Sequence, residues 1–357
     1  MKRIFILVAI TLFVMGSVFA EEAILIDFSK LTADIIPDQG DKPTQNRATV
    51  MDFSQVAGGS FTPEQKTVMK TSLAINNWEV KLASSSRSIG NQVRSYTLEA
   101  PSKQWGTVMG VRIHFPVEPW NSWATIRPPF EIPAFEPLGE IDDEGNFTAA
   151  ENSDGVTSVS RFEAPAGEDG KVDKTQPAYG VVKNVGTIKS LAVNVYGLNF
   201  PYTLYAILVD GMGNERMVYL GPMDHDGWAE HTWQNPGYIT EIRNRELRLY
   251  PLYPFSTPFV KFGGFMIQRD KDQLGGDFVT YFKDIKIIYD KAVLDTDRDI
   301  DDEGLWNIIT ERETEKKIFE MERFGHSQVL RYLDLQKQAT ENQFTPTSTE
   351  GGGGTTE

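Results

Sequence analysis

Apolar and polar residues alternate with a period of two in many short segments of this 357-residue chain. Successive side chains of a β-strand point to opposite faces, so this pattern predicts strands with one buried and one wetter face, as in antiparallel sheets. The pattern therefore favours a mostly β fold over a parallel sheet that is covered by helices on both sides. The alternating segments are 78–82, 111–115, 191–195, 247–249 and 284–289, and a strand-like apolar run lies at 24–28.

A central strand and its turn are recognisable in the middle of the chain. Residues 202–209 are apolar on both faces, and the sequence Asp-Gly-Met-Gly-Asn at 210–214 is typical of a hairpin turn. Many short strands joined by Gly, Pro and Asn turns predict a two-sheet, jelly-roll-like sandwich over residues 21–298. Residues 142–177 contain few large apolar side chains, and we expect a mobile insertion there.

The pattern becomes helical near residue 299. Asp301 or Asp302 is suited to cap a helix, and helix-forming residues follow. We predict one long or two shorter amphipathic helices over 299–340, with Gly325 as the candidate break, and a disordered tail at 341–357. One apolar stripe runs along this helical segment. It consists of Ile318, Met321, Val329 and Tyr332, and it is widened by Phe319, Leu330 and Leu333.

The first twenty residues have the composition of a secretory signal peptide. Lys2 and Arg3 precede an apolar run that is too short for a comfortable membrane span. Val18 and Ala20 occupy the −3 and −1 positions of a cleavage site, so we expect cleavage between Ala20 and Glu21. The mature chain then works outside the cytoplasm without a membrane anchor. An uncleaved anchor helix is the alternative.

Charge and cysteine content exclude several classes of function. The chain carries 35 basic and 50 acidic residues, a net charge of −15, and loss of Lys2 and Arg3 with the leader makes it more acidic. Phosphate binding needs a basic surface, so nucleic acid is a poor partner, whereas a neutral or basic protein suits the charge. The chain has no cysteine, which excludes disulfides, a thiolate nucleophile and a Cys-zinc site.

The acidic sequence at 140–144 is similar to the Glu-x-Asp-x-Glu strand of jelly-roll glycoside hydrolases. On a strand, Glu140, Asp142 and Glu144 would share one face, as a nucleophile and an acid require. Asp143 stands where an apolar residue should pack beneath the sheet, and Gly145 and Asn146 make a turn there. We therefore predict no catalytic residues at this position.

Two further groups of residues resemble metal sites without matching one. His225 lies between two aspartates and precedes His231 by six residues, which is not a familiar zinc spacing, so we interpret these as surface loop residues. Acidic residues alternate from Asp295 to Glu303 like a calcium loop. Ile300 and Trp306, however, occupy positions where an EF-hand needs Gly and Glu. Helix capping is the preferred interpretation, with a weak calcium site as the alternative, and we predict no cofactor.

Aromatic residues cluster in a proline-rich stretch and suggest an alternative function. Trp120, Trp123, Phe130 and Phe135 could form a platform on which sugar rings stack, as in a periplasmic carbohydrate-binding sandwich. Aromatic side chains in such connections more often fill a core or contact a partner.

Seven segments, spread in order over nearly the whole mature chain, carry a resemblance to a known family. The chain resembles the outer layer (sheath) proteins of the periplasmic flagellar filament of spirochaetes. The segments are ILIDFSKLTADI (24–35), SLAINNWEVKL (72–82), VRIHFP (111–116), YGVVKNVGTIKSLAVNVY (179–196), ELRLYPLYPFSTP (246–258), GDFVTYFKDIKIIYDKAV (276–293) and RFGHSQVLRY (323–332).

The resemblance implies an exported structural subunit without catalytic residues. Such a subunit coats a core flagellin filament in the periplasm and contributes to filament shape, stiffness and motility. Its expected partners are the core filament and other copies of the sheath subunit. The apolar stripe from Ile318 to Leu333 has no obvious place in a sandwich, so we take it as the candidate assembly interface. Burial of such side chains, each worth roughly 1.5–3 kcal/mol, would drive assembly.

Overall fold

The computed structural model describes residues 20–32, 49–135, 139–141, 147–149, 180–247, 253–254, 257–292 and 299–341. The side chains of 139–141, 147–149, 246 and 329–341 are outside the description. Predictions for residues 1–19 and 342–357 fall outside the described residues. The predicted insertion at 142–177 does so too, except for a three-residue strand at 147–149.

The strands of the described residues are, in chain order, β1 (Glu21–Asp27), β2 (Val50–Asp52), β3 (Lys70–Ser72), β4 (Glu79–Leu82), β5 (Tyr96–Ser102), β6 (Gly106–Phe115), β7 (Ser122–Arg127), β8 (Gly139–Ile141), β9 (Phe147–Ala149), β10 (Val185–Leu198), β11 (Thr203–Val209), β12 (Glu215–Pro222), β13 (Asp226–Gln234), β14 (Lys261–Arg269) and β15 (Gly276–Lys291). The α-helices are α1 (Pro63–Thr67), α2 (Ile89–Val93), α3 (Tyr238–Glu246), α4 (Asp302–Trp306) and α5 (Ile308–Glu341).

Two antiparallel sheets form the body of the protein, which confirms the predicted sandwich. The six-stranded sheet has the order β13-β10-β15-β6-β5, and β1 also pairs with β15. The five-stranded sheet has the order β12-β11-β14-β7-β4. The long strand β15 pairs with β10 on one side, and on its other side first with β6 and then with β1.

The core lies between the sheets, where the alternating apolar residues meet. Phe265 of β14 stacks on Phe282 of β15 with ring centroids 4.3 Å apart and an interplanar angle of 14°, which joins the two sheets at their centres. Trp78 is buried and packs edge-on against Phe28 at 5.3 Å. Its indole N–H donates to the Leu73 carbonyl at 3.0 Å, so the buried polar atom has a partner.

One end of the sandwich is held by a buried cation. Arg269 is 1% exposed at the end of β14. Its guanidinium donates to the carbonyl oxygens of Pro116 at 2.5 Å, Glu118 at 2.9 Å and Gln273 at 2.9 Å. The charge is therefore compensated by backbone dipoles, and two loops are tied to one side chain.

The turn predicted at 210–214 is present, and its mechanism is visible. The Asp210 carboxylate accepts hydrogen bonds from the backbone N–H groups of Met212 at 2.9 Å and Asn214 at 2.8 Å. These contacts join β11 to β12 as an aspartate-stabilised turn.

The strand predicted at 247–249 does not begin at Leu247. Leu247 follows helix α3 as its C-cap residue, and positions 248 and 249 lie outside the described residues. Three alternating residues are too few to distinguish a strand from the end of a helix, because both patterns fit so short a run.

Removing one ring of the central stack tests the importance of the core contact. Phe282→Ala should lower the free energy of unfolding by about 3–5 kcal/mol, because a cavity remains where two sheets meet. Urea unfolding followed by tryptophan fluorescence measures this change. Trp123→Ala is the control, since its side chain is 45% exposed and should change stability by less than about 1 kcal/mol. Equal losses of stability in the two variants would contradict the importance of the Phe265–Phe282 contact.

Candidate assembly surface

Acidic residues build the start of the C-terminal helices. Asp301 caps α4 by accepting from the Gly304 N–H at 2.9 Å. Glu303 accepts from the backbone N–H groups of Ile309 at 3.1 Å and Thr310 at 2.9 Å, at the beginning of α5. These two carboxylates are thus engaged by backbone donors, as the capping interpretation predicts, whereas Asp295 and Asp297 lie outside the described residues.

The break between the helices lies at Asn307 and not at Gly325. Asn307 adopts a left-handed conformation with φ 55° between α4 and α5. Helix α5 then runs without interruption through Gly325. The glycine serves packing instead, because a Cβ atom there would lie 2.3 Å from the ring of Phe61.

The inner face of α5 packs on a small apolar cluster beside the main core. We call this the docking cluster, and it consists of Phe53, Val56, Met69, Met321 and Phe324. The rings of Phe53 and Phe324 lie 5.0 Å apart, and Ile318 packs against the cluster from its edge. Gly59, with φ +80°, lets the helix approach closely, since a Cβ there would lie 2.3 Å from the Met321 methyl.

Polar contacts fix the same helix to the loops of the sandwich. Glu322 accepts from the Ser60 N–H at 2.5 Å and from its hydroxyl at 2.7 Å. Arg323 donates to the Pro129 carbonyl at 3.1 Å, and Arg312 donates to the Pro254 carbonyl at 2.6 Å. Contacts at both ends of this stretch fix the rotation of the helix, so they decide which residues face outwards.

Glu320 differs from Glu303 and Glu322 in that its pKa is raised, whereas theirs are lowered. Burial raises the pKa of Glu320, and the neighbouring Glu131 carboxylate raises it further. The Glu131 N–H donates to Glu320 at 2.6 Å and acts in the opposite direction. Docking of α5 therefore places an ionised carboxylate in an unfavourable environment at neutral pH.

The structure divides the predicted apolar stripe into two parts. Ile318 and Met321 pack on the docking cluster, so their apolar surface is already covered within the subunit. The side chains of the other four stripe residues lie outside the described residues, and an assembly role for them stays a prediction. These four are Val329, Leu330, Tyr332 and Leu333.

Other apolar residues of this segment point to solvent. Leu305 and Trp306 of α4 are 69% and 66% exposed, and Phe319 of α5 is 70% exposed. We call these three residues the outer apolar surface. Leu305 and Trp306 are not part of the predicted apolar stripe. In the sequence they are recognisable only as an apolar pair behind a helix cap. Helix α4 is five residues long, which is too short for a repeating apolar stripe.

The predicted cleavage site lies directly before the first strand. Glu21 begins β1 and stands opposite Tyr289 of β15, and its carboxylate pairs with the Lys291 ammonium at 2.8 Å. Ala20 precedes this strand and is half-buried. Cleavage between Ala20 and Glu21 stays a prediction.

The aromatic residues of the carbohydrate hypothesis do not form one platform. Phe130 is buried in the main core, and Phe135 packs against Phe259 at 5.4 Å. Only Trp120 and Trp123 of the four are more than 40% exposed. Glu140 lies in β8, which pairs with β9 outside the two large sheets, and its proposed partners Asp142 and Glu144 fall outside the described residues.

Within the described ranges, no group of three or more His, Asp or Glu side chains is arranged to hold a metal ion. None of the helices in that part of the chain combines the length and apolar character needed to cross a membrane.

The fold and its docked helix define a class of protein: an antiparallel β-sandwich scaffold with a docked helical arm. The model of the flagellar filament outer layer protein family, FlaA, matches residues 42–298, and the chain belongs to this family.

Relatives from spirochaetes match over 78–97% of their length. A flagellar filament outer layer protein of Treponema pallidum (strain Nichols) is 46% identical over 97% of both chains. One from Spirochaeta aurantia is 44% identical over 96% of this chain and 95% of the relative. A third, from Borreliella burgdorferi, is 28% identical over 84% of this chain and 78% of the relative.

Solved structures show only a distant likeness. The carbohydrate-binding module TmCBM61, solved with β-1,4-galactotriose, matches 59% of this chain and 88% of its own length. The identity is 10% and the TM-score 0.26. A likeness of this size carries no argument about function.

Filling the notch at Gly325 tests the packing of α5. Gly325→Leu should destabilise the docked helix by about 1–3 kcal/mol, because the new side chain meets the Phe61 ring, although Leu is a better helix former than Gly. Limited proteolysis of the α5 segment measures the loosening. His326→Leu, at an exposed neighbouring position, is the matched control and should be cleaved like the wild type. Equal cleavage of all three proteins would contradict the packing.

Neutralising Glu320 tests its burial penalty. At a pH below the unfolded-state pKa the carboxyl is protonated in both states, so it has no effect; above the raised folded-state pKa its charge disfavours the folded state. Glu320→Gln should therefore raise Tm by roughly 2 °C at pH 7.5 and by much less near pH 4. Thermal unfolding at both pH values measures this difference. A lower Tm for the variant at pH 7.5 would contradict it.

Proposed function

We propose that this protein is a non-enzymatic structural subunit that coats the flagellin core of a periplasmic flagellar filament. In this role it contributes to filament shape, stiffness and cell motility. Family membership and the full-length relatives support association with a flagellar filament. The signal-like residues 1–20 support export, and the periplasm is the compartment in which a spirochaete flagellum and an exported chain would meet.

The single observation that carries the assembly proposal is the outer apolar surface on a firmly docked helical arm. Leu305, Trp306 and Phe319 expose large side chains, while Met321 on the same arm is fully buried. A rigid support lowers the entropy lost on binding, so apolar residues presented this way are suited to a permanent contact. The four stripe residues from Val329 to Leu333 would extend the contact along α5.

The acidic charge of the chain agrees with this arrangement. Copies of a strongly negative protein repel one another at long range, so lateral contacts must be supplied by short-range apolar packing or by a partner of different charge. The outer apolar surface provides the apolar packing, and the core filament is our proposed partner of different charge.

Co-sedimentation with filaments whose sheath has been removed tests the proposal. The double variant Leu305→Ser/Trp306→Ser should bind at least tenfold more weakly than the wild type, because each lost side chain is worth roughly 1.5–3 kcal/mol when buried. Sedimentation without the core filament measures self-association separately.

A second double variant provides the matched control. Leu274 and Trp120 are also exposed, at 88% and 43%, but they belong to loops of the sandwich. Leu274→Ser/Trp120→Ser removes the same two residue types and should leave binding unchanged. Wild-type binding by the arm variant, or an equal loss in both variants, would overturn the assignment of the surface.

A further inference from the structure

Two of the four histidines of this chain meet at the corner where the chain passes from one sheet to the other. β12 is an edge strand of the five-stranded sheet and β13 is an edge strand of the six-stranded sheet. His225 lies in the short connection between them, and His231 lies in β13, on the face shared with Trp233, which packs against the main core. The ring centroids of the two histidines are 5.0 Å apart.

Both imidazoles have a buried nitrogen without a partner. The Nε2 atoms of His225 and His231 are shielded from solvent and accept or donate no hydrogen bond within the described part of the chain. Burying such an atom unpaired is costly, and each exception in a folded protein requires an explanation. His225 lies in a connection between strands, as predicted, but its ring is half-buried, and His231 lies in a strand.

The surroundings fix His231 in the form that binds metal ions. The Leu220 carbonyl interacts with the ring of His231, and since Nε2 has no partner, the donor is Nδ1. Nε2 is therefore the nitrogen with the free lone pair. A backbone carbonyl that orients an imidazole from its other nitrogen is the usual outer-shell arrangement of a histidine metal ligand.

Asp224 directly precedes His225 in the chain, and its negative charge favours a cation at this corner.

Two glycines make room for the pair. A Cβ atom on Gly197 of β10 would lie 2.7 Å from Nε2 of His225, and a Cβ atom on Gly221 of β12 would lie 2.9 Å from Nδ1 of His231. Any other residue at either position would push the rings apart. The ring separation also suits a shared ion, because two imidazoles bound at about 2.0–2.1 Å to one tetrahedral metal have centroids roughly 5 Å apart.

We propose that His225 and His231 bind one zinc ion through their Nε2 atoms. The ion joins the β12–β13 connection to the inner face of β13 and so stabilises the corner between the two sheets. The described residues supply no third His, Asp or Glu ligand, and the site is therefore of moderate affinity and its ion exchangeable.

Zinc titration of the purified protein, with any histidine tag removed, tests the proposal. Isothermal titration calorimetry should give one site in the micromolar range, and zinc at a hundredfold excess over Kd should raise Tm by about 3–5 °C, reversibly with EDTA. His225→Gln and His231→Gln should each weaken binding at least tenfold, whereas His326→Gln, at an exposed histidine of α5, should not. Calcium should not replace zinc, because imidazole is a poor ligand for it.

A measurement on the wild-type protein keeps the proposal testable if a variant fails to fold. The imidazole NMR signals of His225 and His231 should shift together on addition of zinc, while those of His114 and His326 stay in place. Unchanged signals of His225 and His231 at saturating zinc, or wild-type affinity in both Gln variants, would overturn the site.

Discussion

The apolar contact between the two sheets is the interaction on which the rest of this structure depends. The stack of Phe265 on Phe282 at 4.3 Å lies at its centre. With no cysteine in the chain, covalent cross-links are excluded, and stability rests on packing and hydrogen bonds. The buried guanidinium of Arg269 is accordingly compensated by three backbone carbonyl contacts.

The long strand β15 links that contact to the other strands of its sheet. It pairs with β10 along one side and with β6 and β1 along the other, so strands from the beginning, middle and end of the sandwich meet on one element. The early strand β1 takes its backbone partners from residues 284–289 of β15 and from Gly180 and Val182. A sheath subunit built this way can present its surfaces in a constant geometry, which a filament of defined shape requires.

The helical arm shows how one apolar pattern serves two purposes. Its inner residues Met321 and Phe324 complete the docking cluster, and Gly59 and Gly325 allow the close approach. Its outer residues, Leu305, Trp306 and Phe319, remain in contact with solvent in the single subunit. The docking cluster is separate from the main core, and it joins the arm to the sandwich together with polar contacts such as Glu322 to Ser60.

Local patterns predicted much of this protein. The alternation at 111–115, 191–195 and 284–289 predicted strands that the structure contains, and the Asp210 turn and the Asp301 cap followed from single residues with strong local hydrogen-bonding preferences. The family resemblance, carried by segments along the whole chain, indicated the filament sheath.

The sequence by itself thus determined the fold class, the family and the positions of most strands and helix starts. Strands and helix starts follow from patterns among residues close together in the chain, and the family follows from the sequence segments themselves. Only the tertiary structure decided that Gly325 is a packing notch, that Met321 faces inwards while Trp306 faces outwards, and that His225 and His231 share a corner. Each of these depends on how distant segments approach one another. Phe61 packs against Gly325, the docking cluster contacts α5, and glycines of β10 and β12 lie against the histidine pair. Such contacts are set by the packing of the whole chain, so periodicity and spacing carry no signal for them.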